Sequence, residues 1–190
     1  MIVKSLETFY IVNPIENFKF HNKKLLELIE KTPKDKFMDI SFTDWNISHD
    51  KNRPYLKYFV DMIKPKIDKI AHFLDFKEIT LSNIWTQQYL NNDKHDWHHH
   101  AHCNFTNIYY VELPDLDYKT ELYDPVNKSI INIDVKEGDL ITFPAHIHHR
   151  SKKNLSNKRK TIISFNMNCD ITNKENIDSS LTKSNKPSIL

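Results

Sequence analysis

The chain has 190 residues, with 27 Lys and Arg against 25 Asp and Glu and a net charge of +2. That length allows one domain with a sizeable core, and the near-balanced charge carries no nucleic-acid footprint. Two cysteines, Cys103 and Cys169, are too few for a disulfide framework. With no signal peptide and no long apolar run, a reducing, cytoplasmic setting away from membranes is expected.

Residues 6–12 alternate weakly and read as a first strand. Residues 17–31 carry Phe18, Leu25, Leu26, Leu28 and Ile29 at roughly helical spacing and stop before Pro33. A second helix is expected over 54–74, where Tyr55, Tyr58, Phe59, Met62, Ile63, Ile67, Ile70 and Phe73 recur every three or four positions, with Pro65 kinking or splitting it. From Lys77 onward the pattern changes to short β-like runs at 79–81, 84–90, 107–113, 130–135, 139–143 and 161–167. Between the last two runs, Lys152, Lys153, Lys158, Arg159 and Lys160 read as a solvated basic hairpin. Residues 169–190 are polar and read as a tail. The expected organisation is one domain over 1–168, with a strand and helices over 1–76 and a β core over 77–168. A single glycine serves the whole chain, so Asn must take over turn positions that need positive φ.

Seven of the eleven histidines fall in two short stretches, 97–102 and 143–149. Neutral imidazole is the commonest metal ligand in proteins. Side chains two apart on a strand share a face, at a spacing of about 6.6 Å. If 96–102 is extended, Asp96, His98, His100 and His102 share one face, and one ion can recruit a neighbouring pair: 96/98, 98/100 or 100/102. A third ligand must come from another strand, and the stretch at 146–149 provides it.

From Trp85 to Asn166 the chain resembles the small 2-oxoglutarate- and Fe(II)-dependent oxygenases found in bacteria and phages. The resemblance is carried by Trp85-x-Gln87-x-Tyr89-x-x-Asn92-Asp93, His98-x-His100, the run 106–111 and Asp124-Pro125. It continues through Gly138-x-Leu140-x-x-Phe143-Pro144, His149 and Lys160-x-Ile162-x-Ser164-Phe165-Asn166. Asn92 and Asn107 replace family glycines, a mild change at left-handed positions, and Lys160 replaces an arginine. The resemblance implies an α+β, mainly β fold: a double-stranded β-helix (a cupin-like jelly roll) with N-terminal helices packed outside. It further implies Fe(II) bound by His98, His100 and His149, with no catalytic residue beyond these ligands. The reaction it implies is hydroxylation driven by 2-oxoglutarate and O2, releasing succinate and CO2. The substrate would be a small molecule or a peptide, with no membrane or nucleic-acid partner, and a homodimer is compatible.

The better-known oxygenases of this fold use a 2-His-1-carboxylate triad, yet no His-x-Asp or His-x-Glu occurs here, leaving Asp96 as the alternative carboxylate. Family register assigns the far carboxylate of 2-oxoglutarate to Lys160, eleven residues after His149, with Ser164 on the same face. Arg159 is the rival, since only Arg offers a bidentate fork. Tyr109 or Tyr110 would add a hydroxyl contact. Two other readings compete. One is a three-histidine cupin dioxygenase that does not use 2-oxoglutarate, although Asn104 and Phe105 stand where a cupin carries its Glu. The other is a non-catalytic metal-binding jelly-roll module.

Overall fold

Residues 105–111, 139–143 and 160–167 are buried on both faces, which is why they read as near-continuous apolar runs rather than as alternations. The computed structural model describes residues 8–48 and 51–169. In chain order it has β1 (Ile11–Pro14), α1 (Phe18–Ile29), β2 (Asp35–Phe37), β3 (Ser41–Thr43), α2 (Tyr55–Phe73), β4 (Ile79–Tyr89) and β5 (His95–His98). These are followed by β6 (Phe105–Glu112), β7 (Thr120–Asp124), β8 (Ser129–Asn132), β9 (Asp139–Pro144), β10 (His149–Ser151) and β11 (Lys160–Cys169). The ladders are antiparallel and form a seven-stranded sheet in the order β1-β9-β6-β11-β4-β3-β2, opposed by a four-stranded sheet β5-β10-β7-β8. This is the mainly β jelly roll with helices outside that the resemblance implies.

Two apolar layers follow from strand parity. Ile108, Tyr110, Ile141, Phe143 and Ile162 face inward and meet Leu122, Ile133, Val135 and Ile147 between the sheets. Their neighbours Tyr109, Leu140, Ile163 and Phe165 face the other way and pack under Leu25 and Ile29 of α1 and Phe59, Ile63, Ile67 and Ile70 of α2. Each buried aliphatic or aromatic side chain contributes about 1.5–3 kcal/mol relative to exposure, so the two layers together hold the sheets and helices in one assembly. No helix among the described residues is long and apolar enough to cross a membrane.

Several sequence expectations shift. The strand read over 6–12 is observed as β1 over Ile11–Pro14, its first two residues lying outside the described ones. Pro65 does not split α2, which runs unbroken through it. Pro65 is solvent-exposed, so the carbonyl it orphans can be hydrated, while buried Ile63 and Ile67 on either side keep the helix seated. The runs at 79–81 and 84–90 are one strand, β4, bulged at Asn83, which adopts φ 47°. Asn92 takes the left-handed conformation expected of it, φ 70°. Asn107 does not: it lies in extended β6, buried, with its amide donating to the Phe165 carbonyl and its oxygen accepting from Thr142. The lone glycine, Gly138, has φ 84°, and a Cβ there would sit 2.3 Å from the Phe18 ring. The tail expected at 169–190 lies outside the described residues beyond Cys169.

Candidate metal centre

β5 ends at His98, so the four-membered row from 96 to 102 does not form. His100 follows the strand end, held by its own N–H to the Ala145 carbonyl at 3.0 Å, and His102 turns with φ 61°. Asp96 points to solvent and pairs with Lys94 at 2.8 Å, away from any ligand position. His149 opens β10 directly opposite His98 in the ladder. The structure thereby brings together the coordinating nitrogens of His98, His100 and His149, all within 4.8 Å of one another.

Each of these rings has its other nitrogen occupied. Nδ1 of His98 donates to the Asp96 carbonyl at 2.8 Å, and Nδ1 of His149 donates to the Ile147 carbonyl at 3.1 Å. Carbonyl oxygens only accept, so both rings carry their proton on Nδ1 and present a bare Nε2. Nδ1 of His100 meets Asn166 Oδ1 at 2.7 Å, the same arrangement supplied by a side chain from β11. Burial, reinforced by the neighbouring imidazoles, lowers the His98 value to about 4 and holds His149 well below the ordinary range. Burial likewise lowers His100. Three neutral imidazoles with fixed tautomers and converging lone pairs could hold a metal ion, their rings oriented by outer hydrogen bonds.

Sequence parity missed a fourth histidine. β5 and β10 pair His98 with His149 and His95 with Ser151, so that Asp96 and Trp97 on one strand stand against Arg150 alone on the other. The bulge turns His95 to the same side as His98, and the two rings stack at 3.7 Å with 15° between their planes. Trp97 faces the opposite side, under the Arg150 guanidinium at 4.5 Å. A bulge breaks the period of two, and nothing in the residues 95–98 announces it.

β11 keeps its parity facing the site. Lys160, Ser164 and Asn166 face inward and Arg159 outward. Arg159 is engaged on the helix side by Glu112 at 2.8 Å and Glu30 at 2.5 Å. Lys160 is 1 % exposed, with Nζ donating to Ser151 Oγ at 2.8 Å and lying 5.2 Å from the centre of the Tyr89 ring. No carboxylate pairs with it among the described residues, and burial alone lowers its value to about 7. Ser164 lines the inner cavity beside the histidines. Tyr109 faces α1, its hydroxyl donating to Asn22 Oδ1 at 2.5 Å, so it does not reach the site. Tyr110 is in the layer between the sheets, accepting from the Thr120 N–H at 3.2 Å. Tyr89, absent from the expected set, borders the inner cavity instead.

Two spaces adjoin the triad. The inner one, toward Ser151 and Tyr89, holds about 20 Å³, room for about one water. The outer cleft, about 450 Å³, opens past Trp45 and Trp85, whose rings meet edge-on at 4.5 Å. Its walls include Phe37, Ile40, Thr43 and Asn83, and among the described residues they contain no Asp, Glu, Lys or Arg.

Residues 83–166 match the family described as "Putative 2OG-Fe(II) oxygenase". No curated protein matches the chain by sequence. Among solved structures, the chain is similar to the viral collagen prolyl hydroxylase of Paramecium bursaria Chlorella virus-1, solved with 2-oxoglutarate. That match has 13% identity and a TM-score of 0.59, covering 85% of this chain and 96% of that one. HygX of Streptomyces hygroscopicus, solved with nickel, 2-oxoglutarate and hygromycin B, matches at 9% identity and a TM-score of 0.65, covering 86% and 84%. A prolyl hydroxylase of Trichoplax adhaerens, in complex with a hypoxia-inducible-factor peptide, matches at 13% identity and a TM-score of 0.62, covering 84% and 83%. At these identities the likeness shows the fold.

Proposed function

We propose that this chain, whose residues 83–166 match the 2OG-Fe(II) oxygenase family model, is a 2-oxoglutarate- and Fe(II)-dependent oxygenase that hydroxylates a substrate whose reacting group is uncharged. We further propose that His98, His100 and His149 hold the iron and Lys160 holds the co-substrate. The observation that carries this assignment is the pairing of two features: three bare Nε2 atoms bordering the inner cavity and, behind Ser151 and Tyr89 of that same cavity, a buried lysine with no carboxylate partner among the described residues. A buried charge without a partner is costly. A dicarboxylate that reaches the metal with one end and Lys160 with the other relieves that cost.

The donor set fits Fe(II), since imidazole nitrogens suit first-row divalent ions. The cavity between triad and lysine is small for the co-substrate, so its binding must move Lys160 Nζ off Ser151 and widen the space. Fe(II) with 2-oxoglutarate and O2 supplies the oxidising chemistry, with succinate and CO2 as by-products. The protein's residues orient and exclude. Asp96, Ile147 and Asn166 fix the three rings, Trp85 packs against the His100 ring at 5.7 Å, and Ile108 and Ile162 wall the inner cavity against water.

The outer cleft supports the substrate half of the reading. A free amino acid or a nucleotide brings charges that need countercharges, and the described residues of the cleft walls include no Asp, Glu, Lys or Arg. They offer indole faces with Asn and Thr hydrogen-bonding groups, which suit an uncharged apolar group flanked by amides or hydroxyls, whether on a peptide or on a small molecule. The cupin alternative gains no support from the site. Asn104, standing where a cupin carries Glu, is used structurally: its side-chain oxygen accepts the Cys169 N–H at 2.8 Å.

Anaerobic titration of the Fe(II) protein with 2-oxoglutarate tests the reading. A metal-to-ligand charge-transfer band, followed by succinate release on admitting O2, is the expected result. No band, together with O2 uptake driven by a small thiol, would move the assignment to the cupin chemistry.

A further inference from the structure

We propose that His95 is a co-substrate-binding residue: its imidazole hydrogen-bonds the carboxylate of 2-oxoglutarate nearest the histidine triad, without ligating the metal. This rests on the oxygenase reading above. Three observations carry it. The β5 bulge places His95 opposite Ser151 in the ladder, and Ser151 Oγ in turn accepts from Lys160 Nζ. His95 therefore lines the inner cavity together with the triad and with Ser151, the hydroxyl that holds the buried cation.

The second observation is hydrogen bonding. Each ring of the triad has one nitrogen tied to a protein oxygen. Among the described residues no protein group hydrogen-bonds either ring nitrogen of His95, although the ring lines the inner cavity. Polar groups bordering a cavity without a protein partner are the ones a ligand satisfies. The third observation is orientation. The His95 ring lies nearly parallel to that of His98 at 3.7 Å. An ion in the plane of the His98 ring is therefore well out of the plane in which the His95 lone pairs lie. His95 can line the metal cavity but cannot join the ligand set without leaving its stack.

The experiment compares the wild type with His95→Phe, which keeps a ring against His98 but has no hydrogen-bonding atom, and His95→Gln, which keeps a donor but no ring. Fe(II) affinity is measured alone. 2-Oxoglutarate affinity is then measured anaerobically on the iron-loaded protein, by calorimetry and by the charge-transfer band. The expected result is a loss of about tenfold or more in 2-oxoglutarate affinity for His95→Phe, the size of one hydrogen bond to a charged group. His95→Gln should recover most of it, with Fe(II) affinity within about threefold throughout. Three outcomes overturn the proposal: unchanged 2-oxoglutarate affinity in His95→Phe, equal losses in both variants, or loss of iron in His95→Phe. The first two reduce His95 to wall packing, and the third makes it a ligand. Absence of any band in the wild type would instead remove the oxygenase reading beneath it.

Discussion

The Nδ1 atoms of His98, His100 and His149 are all engaged before any ion arrives, two by main-chain carbonyls and one by Asn166. Only the last can be deleted by mutation. Asn166→Ala should weaken Fe(II) binding by about 10–100-fold, the usual effect of removing an orienting partner. Replacing any of the three histidines by Ala should abolish iron binding, and replacing the outward His99 or His148 should barely change it. Retained stoichiometric iron in His149→Ala would refute the ligand set. Lys160 predicts a pH effect. Burial places its folded value at about 7, against 10.5 for an unburied lysine. Between those values the folded state binds fewer protons than the unfolded chain, so this group makes stability rise with pH across that window and fall as pH drops toward 7. A dicarboxylate favours the charged form, so its binding should run the other way. At pH 8, 2-oxoglutarate should take up close to one proton, and its affinity should fall by up to about tenfold per pH unit above 7. Calorimetry in buffers of different ionisation enthalpy reads this directly. The uptake should vanish in Lys160→Met, and proton-neutral binding by the wild type at pH 8 would contradict the buried-cation picture.

At the scale of elements, the sequence was most informative where chemistry resides in residue identity. His98, His100 and His149 stand out because imidazoles cluster, and the alternation of β11 separates Lys160 from Arg159 before any coordinates are known. It does not say which of the two faces inward. That depends on Glu30 of α1 and Glu112 of β6 arriving on one side of the strand, a tertiary fact. His95 was illegible for a different reason: an inserted residue in β5 reverses parity without any Gly or Pro to mark it. β2 and β3, three residues each, are too short to show any period, so the cleft wall they build could not be foreseen. Gly138 stood out in the sequence only as the single glycine and a motif residue, and its packing role was not legible. Its φ of 84° and the Phe18 ring 2.3 Å from any added Cβ combine backbone strain with a clash. Gly138→Ala should therefore destabilise the fold by about 2–4 kcal/mol, seen as a lowered denaturant midpoint with an unchanged slope. A neutral result would mean α1 can withdraw from the sheet at no cost.

Across the whole molecule, the two sheets are not equivalent. The far face of the seven-stranded sheet is covered by α1 and α2. The four-stranded sheet is built from strands of three to five residues and shows Trp97 and Ile130 to solvent. The candidate centre straddles them, with His98 and His149 on the short sheet and Lys160, Ser164 and Asn166 on the helix-backed one. Segments with less buried surface open more readily, so amide hydrogens of β5, β7 and β10 should exchange faster than those of β6 and β11 in the ligand-free protein. At the proposed site Fe(II) and 2-oxoglutarate would together grip both sheets, and they should slow exchange in the short sheet far more than in the long one. Uniform protection across both would show that the sheets already open as one unit. A protein that binds its reactants this way would carry them as a clasp: the layer that admits them is the layer they hold shut.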